Sequence, residues 1–244
     1  MVKARTLGET IEDRIAAVKE RMAQSALRAG RDAAEIKLMA VTKTRTVEEM
    51  AAAASHVDFL GENRVQEAAS KKEIWMKEVW PDSAIERRKI EWRLIGHLQS
   101  NKIRKALALF DALDSLDSVG LALAVERAAA ESERSAPVLI EINTSGENNK
   151  TGVDAERFPE LLDRVLECPH LKLEGFMTVG PLTDDETRVR NAFACLREMA
   201  SRARLRSGLP LPVLSMGMSG DFQWAIAEGS TCVRIGTSLF GPRV

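Results

Sequence analysis

Short apolar runs alternate with longer helix-patterned segments along almost the whole chain, and that alternation constrains the fold more than any other feature. The runs are "IKLMAV" (36–41), "VDFLG" (57–61), "IEWRLIG" (90–96), "FDALDSL" (110–116), "PVLIEIN" (137–143), "LKLEGFMTVG" (171–180), "LPVLSMG" (211–217) and "TCVRIG" (231–236). Between them lie segments such as "TVEEMAAAAS", "VGLALAVERAAAESE" and "DDETRVRNAFACLREMASRARLR". A strand that is followed each time by a helix suits parallel pairing, because the crossover returns the chain to the same end of the sheet. Eight such units without a Gly-, Pro- or Ser-rich linker predict one α/β domain over 1–244, a closed (β/α)₈ TIM barrel. A doubly wound open sheet is the alternative. The fourth run has the broken pattern, interrupted by Asp111 and Asp114. Ahead of the first run, Leu7, Ile11, Ile15, Val18 and Met22 recur at near-helical spacing and Gly30 supplies a stop. An N-terminal helix within 1–30 is therefore expected to pack on the barrel.

Composition excludes several classes of function. Apolar residues make up 45% of the 244 and charged residues 29%, ordinary values for a soluble globular domain. The net charge of −1 provides no field to steer nucleic acid or an anionic membrane. Arg197, Arg202, Arg204 and Arg206 read as a solvated helix face. No apolar run is long enough to span a bilayer, and the charged N-terminus lacks a signal-peptide core. Cys168, Cys195 and Cys232 form no CxxC pair, which suggests reduced thiols and a cytoplasmic location. No cluster has metal-ligand spacing, so no metal site is predicted. Tyrosine is absent.

A barrel of this kind places chemistry at the C-terminal ends of its strands. The polar clusters follow that rule: Lys43 after the first run, "GENRVQE" (61–67) after the second, "GHLQSNK" (96–102) after the third, "NTSGENNKTG" (143–152) after the fifth, "SMGMSGD" (215–221) and "RIGTSLFG" (234–241) closing the last two. Lys43 is either a strand-end lysine reaching solvent or an amine nucleophile whose pKa falls in a partly desolvated mouth. The loops after strands seven and eight, with Ser219, Gly236 and Thr237, suit a phosphate cradled by backbone N–H groups. A phosphate opposite a lysine that seeks a carbonyl describes pyridoxal 5′-phosphate.

The stretches "AVTKTR", "GENRVQEA", "WRLIGHLQSNK", "EINTSGENNKTGV", "LEGFMTVGP" and "LSMGMSGDFQWAIAEGSTCVRIGTSLFG" resemble, in order from about residue 36 to 241, the pyridoxal phosphate homeostasis proteins. Their single domain is similar to the N-terminal barrel of alanine racemase. The resemblance implies that Lys43 carries the internal aldimine and that Ser219, Gly236 and Thr237 meet the phosphate. It also implies that Arg234 faces the pyridine nitrogen, that Asn63 lines the ring and that Ser215 supports the phosphate loop. His97 is either a pocket residue or a capped structural group. Segment 71–91 is Trp-rich, and Trp75, Trp80 and Trp92 either pack a helix on the barrel or form a contact surface.

The expected function is a monomeric, non-catalytic carrier that maintains intracellular pyridoxal phosphate and passes it to apo-enzymes. Read by itself, Arg234 is either a rim charge or, against the ring nitrogen, a cation that disfavours pyridinium and weakens the electron sink. The alternative is a single-domain amino-acid racemase of low activity. Alanine racemase is understood to take its second base from a tyrosine supplied with its additional β-domain; here tyrosine is absent and the chain is expected to end with the barrel. A phosphosugar enzyme is a third reading, with Glu62 as its acid/base, although Glu62 could equally pair with Lys43 or Arg64.

Overall fold

The structure, a computed structural model, describes residues 9–79, 89–147 and 151–242. The eight expected strands are present: β1 Lys37–Val41, β2 Phe59–Glu62, β3 Glu91–Leu94, β4 Ala112–Leu116, β5 Ala136–Asn143, β7 Leu171–Met177, β8 Val213–Ser215 and β9 Cys232–Ile235. A two-residue strand that the sequence reading did not anticipate, β6 Val153–Asp154, adds to the edge of β5. All pairings are parallel, running β4-β3-β2-β1-β9-β8-β7-β5, and β4 also pairs with β5. That last pairing closes the barrel and removes the open-sheet alternative.

The helices follow their strands: α2 Val47–Ala54, α3 Val65–Ile74, α4 Ile103–Leu109, α5 Val119–Glu131, α6 Phe158–Leu166, α7 Glu186–Ser207, α8 Phe222–Ala227 and α9 Thr237–Phe240. Helix α1, Ile11–Arg28, precedes them and packs on α2, α8 and α9. It begins at a capping box between Thr10 and Asp13, which satisfies amides that the first turn leaves without partners. Gly30 follows its end with φ 67, as the stop signal predicts. Trp75 and Trp92 are both buried and meet edge to face at 5.5 Å, so these two pack the end of the α3 region onto β3. Trp80 lies outside the described residues.

Parallel strands in a barrel are covered on both faces, and here the two faces differ. Leu38 and Ala40, Trp92 and Leu94, and Val233 and Ile235 join the large apolar layer beneath the helices. Their strand neighbours point the other way, into the barrel, and several are charged: Arg93, Asp114 and Arg234. This explains the broken fourth run. Asp114 is an interior residue that receives Arg93 Nε at 3.0 Å. Asp111 caps a strand, its carboxylate accepting the Trp92 amide at 2.9 Å. The glycine of "LEGFM" is obligatory: Gly175 has φ 154 at a register shift between β5 and β7, and a Cβ there would lie 2.0 Å from the Val213 carbonyl oxygen.

Candidate functional site

The end of β1 and the loops after β8 and β9 enclose a cleft of about 240 Å³. Its walls are Val41, Lys43, Arg45, Met218, Ser219, Gly220, Arg234, Gly236 and Thr237. Five of the seven residues expected at the site thus share one cavity: Lys43, Ser219, Arg234, Gly236 and Thr237. Barrel closure accounts for this, because β1 pairs directly with β9 and brings residues nearly 200 positions apart into adjacent loops.

The loops are tied to one another. The Ser219 hydroxyl accepts the Ser238 amide at 3.2 Å, linking the β8 and β9 loops. Met218 donates its amide to Asp221 Oδ1 at 2.5 Å, and Phe222 donates to the Met218 carbonyl at 2.9 Å, which closes the turn that carries Ser219. Arg45, after Lys43, donates to the Gly241 carbonyl at 2.6 Å and stacks over Phe240, fastening the end of α9 to the first loop. Glycine has two uses here. Gly217, with φ 98, is structural, since a Cβ would lie 2.6 Å from Ala225 Cβ. At Gly220 a Cβ would meet nothing within 4 Å, and at Gly236 it would meet only Val41 at 3.5 Å, an ordinary contact. Neither residue has the positive φ that demands glycine. The protein's own packing therefore does not require glycine at 220 or 236, and both leave open backbone facing the cleft, as an anion bound to amides would need.

Arg234 forms the floor. It is 3% exposed. Its guanidinium donates to the Ser215 carbonyl at 2.6 Å, the Ser215 hydroxyl at 2.8 Å and the Thr178 carbonyl at 2.8 Å. All three are neutral acceptors. Burial pulls its pKa below the usual arginine value, with surrounding acidic groups opposing the shift, yet an arginine so placed stays charged.

The two remaining residues, Ser215 and Asn63, are not among those that line the cleft. Ser215 is fully buried and orients Arg234. Asn63 follows β2, and its Oδ1 is buried without a protein partner. Its backbone abuts Gly96, where a Cβ would lie 2.4 Å from the Asn63 carbonyl oxygen. His97 pairs its Nδ1 with Asp117 Oδ2 at 3.2 Å and is more than half exposed. Glu62 is completely buried, and Oε1 accepts from Lys71 Nζ at 2.8 Å and Thr42 Oγ1 at 2.7 Å. The sequence reading offered it Lys43 or Arg64 and passed over Lys71. Burial raises the Glu62 pKa, while Lys71 and Thr42 pull it down. Met218, Gly220 and Arg45 were also missed; only the spacing of Glu67 and Lys71, four residues apart on a helix, signalled a pair. Among the described residues, no group of three or more His, Cys, Asp or Glu side chains is placed to hold a metal, and no helix is long and apolar enough to cross a membrane.

A parallel barrel with a lysine closing its first strand, facing glycine-bearing loops on the last two, has a defined family counterpart. The sequence profile described as alanine racemase, N-terminal domain, matches residues 14–244, and the chain belongs to that family. Its full-length relatives are more specific. A pyridoxal phosphate homeostasis protein of Aquifex aeolicus is 38% identical over 95% of this chain and 97% of its own length. A crystal structure from Bifidobacterium adolescentis shares 38% identity, covers 94% of both chains and superposes with a TM-score of 0.86. PipY of Synechococcus elongatus, solved with PLP bound, is 33% identical, covers 92% of this chain and 100% of its own, and gives a TM-score of 0.76. Within the wider family, this chain belongs to the pyridoxal phosphate homeostasis proteins.

Proposed function

We propose that this protein binds pyridoxal 5′-phosphate in the cleft between β1 and β9, holds it covalently on Lys43, and releases it without catalysing amino-acid chemistry. The supporting observation is the shared cavity. A lysine, a buried arginine whose hydrogen bonds go to neutral groups, and two loops that carry Gly220 and Gly236, glycines the fold does not itself need, all face one space. When bound, the cofactor supplies an aldehyde that a lysine amine captures with loss of water and gives back on hydrolysis. Lys43 provides the amine. Ser219 and the amides at Gly236 and Thr237 hold the phosphate. Asn63 borders the ring, and Ser215 acts through Arg234. Arg234 lies against the ring nitrogen, where a fixed cation keeps a proton off and leaves the ring a weak electron sink. Racemisation needs a second base, and the sequence has no tyrosine to serve as one. Transfer of the cofactor to apo-enzymes and control of free aldehyde follow as its roles in the cytoplasm.

Borohydride reduction followed by peptide mapping is expected to leave the pyridoxyl group on Lys43. Lys43→Ala should stay folded and lose the visible absorption band; a variant that keeps the band would move the attachment elsewhere. With L-alanine in deuterated buffer, the loaded protein should give only trace α-proton exchange. Turnover of about 1 s⁻¹ or faster would make it an enzyme.

A further inference from the structure

Behind the cleft lies an ion cluster that no ligand contact explains. Lys71, on α3, is 8% exposed. Its ammonium donates to three oxygens on three segments: the Thr42 carbonyl after β1 at 2.7 Å, Glu62 Oε1 ending β2 at 2.8 Å, and Glu67 Oε1 in the first turn of α3 at 2.6 Å. These account for all three of its donors. Glu67 Oε1 also accepts the Thr44 amide at 2.5 Å. Both neighbours of Lys43 are therefore gripped, Thr42 through its carbonyl and Thr44 through its amide. Thr44 has φ 63, an unfavourable backbone for a β-branched residue. Such a conformation persists where the surroundings impose it.

We propose that Lys71 and Glu67 are positioning residues, which fix the Thr42–Thr44 turn so that the Lys43 amine enters the cleft in one direction, without themselves touching the ligand. The proposal rests on Lys43 being the attachment point. An amine held in line reacts faster than one that must search for its orientation. The opposite wall has ties of its own, the Ser238 amide to Ser219 and the Met218 amide to Asp221, and it meets the first loop through Arg45 rather than through Glu67 or Lys71. Loosening the clamp should slow covalent capture and leave the phosphate and ring contacts intact.

Two probes separate these effects. Stopped-flow absorbance with pyridoxal 5′-phosphate reads capture by Lys43. Titration with pyridoxine 5′-phosphate, which carries an alcohol in place of the aldehyde, reads the remaining contacts. Glu67→Ala should slow capture about ten- to hundredfold while changing pyridoxine 5′-phosphate affinity less than twofold. Glu67→Gln keeps a carbonyl oxygen for the Thr44 amide and should recover most of the rate. Thermal unfolding checks that each variant is folded, and Glu67→Asp, too short to span both contacts, replaces an alanine variant that is not. Capture at the wild-type rate in a folded Glu67→Ala overturns the proposal, and so does a parallel loss of pyridoxine 5′-phosphate affinity. If Lys43→Ala captures as well as wild type, Lys43 is not the attachment point, and the clamp loses its purpose whatever Glu67 does.

Discussion

Two arginines point into the barrel, and they are held in opposite ways. Arg93, on β3, meets carboxylates: Nε donates to both Asp114 oxygens at 3.0 Å, and Nη2 reaches Glu174 at 3.2 Å. Burial alone would lower its pKa, but Asp114 outweighs that and raises it. Burial pushes the Asp114 carboxyl up against the pull of the same arginine; the close two-point contact keeps the pair ionised. Arg234, on β9, is equally buried, yet its hydrogen bonds go to two carbonyls and a hydroxyl. The side chain is fixed in place, and among the described residues no carboxylate forms an ion pair with it. Identical side chains at similar depth thus serve different ends. Arg93 is matched by carboxylates, whereas Arg234 lines the cleft with its hydrogen bonds going to neutral groups.

The contrast is tested most severely by removing partners. Asp114→Ala takes away the one fully buried carboxylate of Arg93, leaves only the more exposed Glu91 and Glu174 to balance it, and should cost up to about 3–5 kcal/mol in urea unfolding. Arg234→Met strands neutral carbonyls instead, and should cost about 1–3 kcal/mol while impairing pyridoxal 5′-phosphate binding. Equal losses would mean that Arg234 is a structural charge like Arg93.

The loops above Arg234 give the next largest effect. Ser219→Ala removes one hydrogen bond to a charged group, about 1.5–3 kcal/mol, or roughly ten- to hundredfold in affinity. Gly236→Val should weaken binding further and leave stability nearly unchanged, since a Cβ at that position meets only Val41 at 3.5 Å. Calorimetric titration should show both variants losing more affinity for pyridoxal 5′-phosphate than for pyridoxal. Equal losses would place the phosphate elsewhere.

The smallest effect concerns Glu141, a buried carboxylate whose charge reaches Arg234 without a direct hydrogen bond. Its Oε1 accepts from Thr151 at 2.5 Å, and burial raises its pKa above 4.5, opposed by Thr151 and then Arg234. The folded protein keeps this proton to higher pH than the unfolded chain, so stability from Glu141 falls as pH rises through the window above 4.5. Glu141→Gln should therefore gain stability relative to wild type as pH is raised across that window in parallel denaturation series. A gap that closes with rising pH would mean that Arg234 holds Glu141 ionised, as Asp114 is held by Arg93.

Much of the site could be read from the sequence because barrel topology places function at strand ends. "AVTKTR" ends β1, and "SMGMSGD" and "RIGTS" end β8 and β9, so Lys43, Ser219, Gly236 and Thr237 could be placed at one barrel mouth before their neighbours were known, and the family resemblance added Arg234, which lines the same cleft. Ser215 was harder to interpret. The resemblance implied that it supports the phosphate loop, and the contact the fold adds is with Arg234, whose guanidinium donates to the Ser215 hydroxyl. Asp114 looked like a break in a strand because a charged residue in a parallel sheet is unusual without a visible partner.

The sequence by itself determined the period of each element, the order of the elements and which strand ends are polar, all properties of neighbouring residues. Tertiary structure alone decided which charges meet. Arg93 finds Asp114 across 21 positions and Glu174 across 81, and Lys71 finds the Thr42 carbonyl across 29. Those pairings depend on strand register and on closure between β4 and β5. A buried charge takes the partner that register brings within about 3 Å, where desolvation makes pairing decisive, and sequence distance has no part in that choice.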